Sequence, residues 1–232
     1  MPVLPFLLAL APLLLAGGSA APAAESAPRT AWVNVVVATP EGGYRQGNPN
    51  APVKLVEYGS RSCPTCQRFA AEGVGPLRAN YIATGKVSYE FREYPVHTHD
   101  IANILLGRCV PAKAFFPVLD AMYAEQAAAN ARMAALSDAE FARIQALPVL
   151  EAAAAIAEAA GYVEFMKRGG LSAARIGQCL SDAAALETLG NRVAAARALG
   201  VRGTPTFFIN GTQPEHAHSW AELEPLLKAA GA

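Results

Sequence analysis

The sequence predicts a small mixed α/β domain interrupted by a long helical insertion. Three features carry this expectation. Short β-branched or apolar runs cluster before residue 92, and no strand pattern occurs from residue 100 to about 199, where alanine is concentrated and favours helix. A further apolar run, residues 206–209, follows that block. Taken in order, residues 32–38 form a β-branched strand candidate and 39–50 a loop rich in Gly and Pro. Residues 53–58 are a second strand, stopped by Gly59-Ser60, and 67–71 read as helix. Gly73 and Gly75-Pro76 break that pattern before 77–83 resumes it, and Val87, Tyr89 and Phe91 alternate as a third strand. Inside the insertion, residues 101–109, 114–126, 138–146, 150–160 and 182–199 read as helices, bounded by Pro111, Ser137, Pro148, Gly161 and Gly200. After 206–209, Asn210-Gly211 is a hairpin-turn signal, and 220–230 closes the chain as a helix.

At 232 residues the chain suits one domain carrying a large insertion. Hydrophobic residues at 53% and charged residues at 16% fit a compact protein. Lys plus Arg equals Asp plus Glu, 19 each, so no net field draws nucleic acid or an acidic membrane surface. No nucleic-acid partner is expected. Residues 2–16 are an uncharged apolar run followed by Gly17, Gly18, Ser19, Ala20 and Ala21, which reads as a signal peptide over residues 1–24 with cleavage between Ala20 and Ala24. The run is short for an ordinary membrane span. Its n-region lacks Lys and Arg, so an uncleaved anchor is the alternative. The expected location is periplasmic or otherwise exported, a compartment that tolerates disulfides.

The four cysteines form one tight pair, Cys63 and Cys66, and one distant pair, Cys109 and Cys179. A Cys-x-x-Cys at the mouth of a helix, directly after a buried strand, has a clear chemical use. The first sulfur meets unpaired backbone N–H groups and the positive end of the helix dipole, which favour a thiolate. Cys63 is therefore the candidate nucleophile. Cys66, one turn deeper, can attack a mixed disulfide formed by Cys63. Pro64 suits the first turn because it lacks an N–H that would go unsatisfied there. The rival use is half a zinc site, but Cys109 and Cys179 are isolated, and neither His97-Thr98-His99 nor His216-Ala217-His218 follows zinc-knuckle spacing. No metal is expected. Both histidine pairs read as solvated loop residues.

Residues 56–66, Val-Glu-Tyr-Gly-Ser-Arg-Ser-Cys-Pro-Thr-Cys, resemble the active-site strand and helix of the thioredoxin superfamily. Residues 203–211, Gly-Thr-Pro-Thr-Phe-Phe-Ile-Asn-Gly, resemble its cis-proline strand. With a helical insertion between the two motifs, residues 32–230 are similar to the DsbA family of exported thiol oxidoreductases. The resemblance implies a thioredoxin fold split as residues 25–99 and 200–232, with the helical domain of residues 100–199 inserted between the third strand and the cis-proline strand. It implies that Pro205 is cis and faces Cys63–Cys66, with the Thr204 backbone turned toward an extended substrate. It also makes Glu57 a buried acid that relays a proton to or from Cys66; the other reading, compatible with it, is a strand residue paired with a nearby cation such as Arg92.

Pro64-Thr65 would tune the redox couple. Thr65 cannot add the imidazolium charge that the histidine of the best-known DsbA supplies, so a milder thiolate is expected than the DsbA pKa of about 3.5, and a couple less oxidising than about −120 mV. Some DsbA-like proteins carry a second, non-catalytic bridge, so Cys109 and Cys179 read as a structural disulfide, with two buried free thiols as the alternative. The implied partners are exported proteins with thiols and a DsbB-like membrane re-oxidant, with no bound cofactor. A monomeric oxidase is the leading function, ahead of an isomerase or reductase and a non-catalytic peptide-binding module. Family isomerases usually add an N-terminal dimerisation domain, for which the residues between the leader and Val53 are too few. Trp32, Tyr44 and Trp220 read as packing residues, and Arg61 and Arg68 as thiolate partners or surface charge.

Overall fold

The computed structural model describes residues 32–232. The signal-peptide expectation, residues 1–24, lies outside these. The frame is one mixed sheet of β1 (Val36–Ala38), β2 (Tyr44–Gln46), β3 (Val53–Gly59), β4 (Val87–Glu93) and β5 (Thr206–Ile209), in the order β1-β2-β4-β3-β5. β3 and β4 pair in parallel at its centre, joined by a helical crossover, and the other pairings are antiparallel. Central parallel strands covered on both faces should read as near-continuous apolar runs. Here β3 and β4 alternate instead, with Glu57, Glu90 and Glu93 buried among their apolar neighbours.

The edge differs from the sequence expectation. Residues 32–34 form a 3-10 turn rather than strand, and the Val33 carbonyl accepts from the Gln46 side chain at 2.7 Å. Inside the anticipated 39–50 loop lies β2, which bridges β1 to β4. At three residues it is too short to show a period. Its hairpin turns at Gly42, whose φ of 88° is the left-handed conformation that glycine adopts at little cost.

The crossover begins with α1 (Pro64–Phe69). The expected break at Gly73 and Gly75-Pro76 does not occur. The helix runs on through π-helical turns over Ala70–Val74 and Leu77–Ile82. Wide turns accommodate Pro76, which cannot donate an ordinary helical hydrogen bond. A Cβ on Gly73 would lie 2.9 Å from the Phe69 ring and 3.0 Å from Trp220, so glycine there lets the last helix close on the crossover.

Between β4 and β5 lie α2 (Asp100–Gly107), α3 (Phe115–Ala134), α4 (Asp138–Gln145), α5 (Val149–Ala159), α6 (Tyr162–Arg168), α7 (Ala173–Leu180) and α8 (Ala183–Ala198). α3 continues two turns past residue 126, through a polar and alanine-rich stretch that the helical-period reading ended early. α6 and α7 were not expected. They are too short for a clear period, and Gly169-Gly170 between them reads as loop. α9 (Trp220–Ala229) closes the fold, capped by Ser219 and Glu222 in a reciprocal capping box. The Asn210-Gly211 turn forms, but beyond it only one bridge, Ile209 to Thr212, is made.

Among the described residues, Leu55, Phe69, Phe91, Phe115 and Phe207 pack in the core between the sheet and its helices, Leu106, Ala157, Met166 and Ile176 fill a second core within the inserted helices, and Tyr58, Tyr94, Ala196 and Val201 form a smaller third cluster. Tyr44 stacks on Phe115 at 3.8 Å, and Trp220 meets Tyr81 edge-on at 5.9 Å.

Cys109 and Cys179 are joined by a disulfide with a Cα–Cα distance of 6.0 Å across 70 residues, tying the end of α2 to α7. Closing so long a loop restricts the unfolded chain by about 4 kcal/mol in the chain-entropy model. The Cys109→Ser/Cys179→Ser double variant is expected to lose stability on that scale in denaturant unfolding; a loss under about 1 kcal/mol would contradict the loop-closure reasoning.

Candidate active site

Cys63 is the N-cap of α1, with Pro64 in the first turn. Its sulfur lies 3.3 Å from the carbonyl oxygen of Thr204, the residue whose peptide bond to Pro205 is cis. The chain thus brings residues 63 and 204 together across 141 positions. Cys63 is 7% exposed and Cys66 is fully buried, and both are free thiols.

The pKa values of the two thiols are driven in opposite directions. The Cys63 pKa falls from 9.0 to about 5, because the Cys66 thiol donates to its thiolate; the Thr204 hydroxyl and the backbone N–H groups of Cys66 and Thr65 add to this against the opposing effect of burial. While protonated, Cys63 donates to the Thr204 carbonyl. Once it ionises, the Thr204 hydroxyl, buried without another partner, joins the Cys66 thiol and the backbone N–H groups as a donor to the thiolate. Burial chiefly pushes Cys66 well above the usual thiol range, and its hydrogen bond to Cys63 and the charge of Glu57 push the same way.

Glu57 lies on the β3 face that it shares with Leu55 and, through the parallel register, with Tyr89 and Phe91. It is 1% exposed, and its pKa rises from 4.5 to about 8 through burial, with the Cys63 charge adding and a Tyr89 hydrogen bond of 2.5 Å opposing. Its other oxygen has no hydrogen-bond partner. Gly59 makes room beside it, since a Cβ there would strike the Phe91 ring. The Arg92 pairing does not hold: Arg92 pairs with Glu90 at 2.7 Å and reaches the Tyr58 hydroxyl at 3.0 Å.

The loop before Cys63 is clamped by one face of α3. The Tyr123 hydroxyl donates to the Ser60 carbonyl at 3.2 Å, Gln126 donates to the carbonyls of Arg61 and Cys63 at 2.9 and 3.0 Å, and Asn130 donates to that of Ser62 at 3.2 Å. These residues stand at i, i+3 and i+7, one stripe of a helix. That spacing of polar residues in an alanine-rich helix was a readable signal which the sequence reading passed over. From the other side, Asp100 accepts from the Ser60 hydroxyl at 2.9 Å and from the N–H groups of Val96 and His97 at 2.7 and 2.9 Å.

Four placements differ from expectation or sharpen it. Arg61 is neither a surface charge nor a thiolate partner: it is 2% exposed and bonded to Glu93. Arg68 is exposed. His97, read as a solvated loop residue, contacts the Ser62 hydroxyl at 2.8 Å, and its ring stacks on that of His99 at 5.5 Å. His218 reaches the Pro205 carbonyl at 3.3 Å; all four histidines lie on loops, and His97, His216 and His218 are exposed, as expected. Among the described residues no group of three or more His, Cys, Asp or Glu side chains could hold a metal ion, and no helix is long and apolar enough to cross a membrane.

Comparison with known proteins adds three findings. A family model described as thioredoxin matches residues 39–229. A Rickettsia bellii protein with a provisional protein-disulfide oxidoreductase name is 26% identical over 197 residues, 83% of this chain and 66% of its own length. A Rickettsia typhi counterpart is 28% identical over 175 residues, 73% of this chain and 55% of its own. The chain thus spans about half to two thirds of the length of these curated relatives. Among solved structures, one described as a protein-disulfide isomerase from Novosphingobium aromaticivorans matches with 30% identity and a TM-score of 0.77 over 81% of this chain and 97% of its own. Wolbachia pipientis α-DsbA1, at 20% identity and a TM-score of 0.63 over 81% of this chain and 90% of its own, shares the fold.

Proposed function

The chain belongs to the thioredoxin family as a DsbA-like member, and on that basis we propose that it is an exported protein thiol–disulfide oxidoreductase that forms disulfides in other proteins. The single observation that carries this reading is the placement of the two free thiols, Cys63 at the mouth of α1 beside the Thr204 carbonyl and Cys66 fully buried, which favours a thiolate at the first and a thiol at the second.

In the oxidised form a substrate thiolate attacks the Cys63 sulfur of the Cys63–Cys66 disulfide. A substrate–Cys63 bond forms, and Cys66 leaves as a thiolate. Burial makes that anion costly, and the Glu57 carboxyl, protonated at neutral pH and, when ionised, close enough to raise the Cys66 pKa, supplies the proton. A second substrate thiolate then attacks the substrate sulfur of the mixed disulfide, releasing the Cys63 thiolate. The substrate has lost two electrons and the protein has gained them. Thr204 and Pro205 would line the groove in which an extended substrate segment pairs with backbone, and Pro64-Thr65 would set the potential. Re-oxidation would fall to a DsbB-like membrane protein.

Oxidation is favoured over isomerisation because each interaction that lowers the Cys63 pKa stabilises the reduced protein and makes its disulfide the stronger oxidant. The isomerase reading has one observation behind it, the name of the Novosphingobium neighbour. Assays with reduced and scrambled ribonuclease separate the two. The oxidised chain is expected to oxidise reduced ribonuclease stoichiometrically while reactivating the scrambled form poorly. Efficient reactivation of scrambled enzyme would favour isomerase, and inactivity in both would leave only a peptide-binding module.

A further inference from the structure

A cavity of about 400 Å3 lies between the Gly42 turn, the C-terminal end of α2, and helices α7 and α8. It shares no residue with the Cys63 centre, and its size falls within the range of small-ligand sites. Arg92, Arg108, Arg175 and Arg192 line it, and two of them, Arg108 and Arg192, meet at the Gly42 turn. Arg108 donates from Nη1 to the Gly42 carbonyl at 2.9 Å, with its guanidinium 5.0 Å from the Tyr44 ring centroid. Arg192, from α8, lies so close over Gly42 that a Cβ there would overlap its guanidinium.

The acids in the cavity wall are engaged elsewhere. Glu93 holds Arg61, Asp182 caps α8 through the Ala185 N–H at 2.9 Å, and Glu41 approaches Arg92 at 3.9 Å. Among the described residues no carboxylate forms an ion pair with Arg108 or Arg192. Burial lowers the Arg192 pKa, and the neighbouring Arg108 charge lowers it further. Two like charges held together in a partly closed, partly apolar recess, without a counter-ion from the chain, are disfavoured until an anion sits between them. Guanidinium forks suit carboxylate and phosphate oxygens, which they bind in bidentate fashion.

We propose that this cavity is a binding site for a small molecule bearing a phosphate or carboxylate, its anionic group held by Arg108 and Arg192 and its apolar part packed against Tyr44 and Leu189. Such a ligand would bridge the β1–β2 turn to α8 and sit beside the Cys109–Cys179 staple, which also lines the wall.

Calorimetric titration of the full chain with phenyl phosphate, benzoate and inorganic phosphate tests this. Phenyl phosphate is expected to bind saturably at one site, more tightly than inorganic phosphate, because it adds an apolar ring; benzoate shows whether a carboxylate serves as well. Arg192→Gln should weaken phenyl phosphate about tenfold or more, while Arg143→Gln, on exposed α4, should leave it unchanged. If Arg192→Gln does not fold, as judged by circular dichroism, Arg192→Lys keeps the charge but loses the fork and should still weaken binding severalfold. Insulin reduction should be the same in all folded variants. Absence of saturable phenyl phosphate binding, or equal affinity in wild type and the folded Arg192 variant, would overturn the proposal. An altered insulin rate with unaltered binding would do so too.

Discussion

Replacing Cys63 with serine is expected to remove disulfide exchange almost completely, with insulin reduction falling about a thousandfold or more, as for loss of other nucleophiles. Serine preserves the shape of the N-cap but ionises far too weakly to attack a disulfide at neutral pH. The complementary change has a different signature. Cys66→Ala leaves the attacking sulfur in place and removes the group that resolves its adducts, so substrate proteins should accumulate as mixed disulfides on Cys63, visible on non-reducing gels and released by dithiothreitol. Cys66 is also the foremost cause of the low Cys63 pKa, so the trapped species should form more slowly near pH 6 than the wild-type thiolate fraction implies. Substantial activity in Cys63→Ser, or adducts that survive in it, would mean that the reacting sulfur has been misassigned.

Arg61→Ala is expected to destabilise the fold by about 3–5 kcal/mol, the scale for breaking a buried ion pair on one side. One Glu93 oxygen receives both Nε and Nη2 of Arg61, at 3.1 and 2.7 Å, and the other has no hydrogen-bond partner. The guanidinium also lies 5.1 Å from the Phe115 ring and packs against Gly107, where a Cβ would collide with it. Removing it leaves a carboxylate buried without its cation and a void beneath the Cys63 loop. Neutralising both partners should recover much of the loss, so Arg61→Met combined with Glu93→Gln is expected to unfold at a denaturant concentration closer to wild type than either Arg61→Ala or Arg61→Met alone. A loss under about 1 kcal/mol for Arg61→Ala would contradict this view of the pair.

The reactive pair was legible because its signal is local. A Cys-x-x-Cys after an apolar strand constrains its own geometry, and the helix that follows supplies the N–H groups. The alternation of β4 and the alanine content of the insertion were equally plain. What escaped the sequence was either too short to have a period, as with β2, α6 and α7, or dependent on contacts distant along the chain. Arg61 reads equally as a thiolate partner or as surface charge because nothing near it in sequence reveals Glu93, 32 residues on. His97 and His218 are loop histidines, as expected, but their contacts with Ser62 and the Pro205 carbonyl are supplied by folding. Gly75-Pro76 was read as a stop because an ordinary helix would stop there, and the widened turns that carry the chain past it leave no mark in composition.

The paired shifts have opposite consequences for the reduced protein. Cys63, depressed to about 5 from 9.0, contributes stability that is lost as pH falls through the lower value and complete only above the upper one. Glu57, raised from 4.5 to about 8, works the other way, removing stability as pH climbs between those values. Ultraviolet thiolate absorbance of the reduced, folded chain isolates the first of these, because Cys66 stays protonated throughout the acid range and Cys109–Cys179 is bridged. One thiol should ionise with a midpoint near 5. A single midpoint close to 9.0, the value of an unperturbed thiol, would mean that no thiolate is held at the mouth of α1.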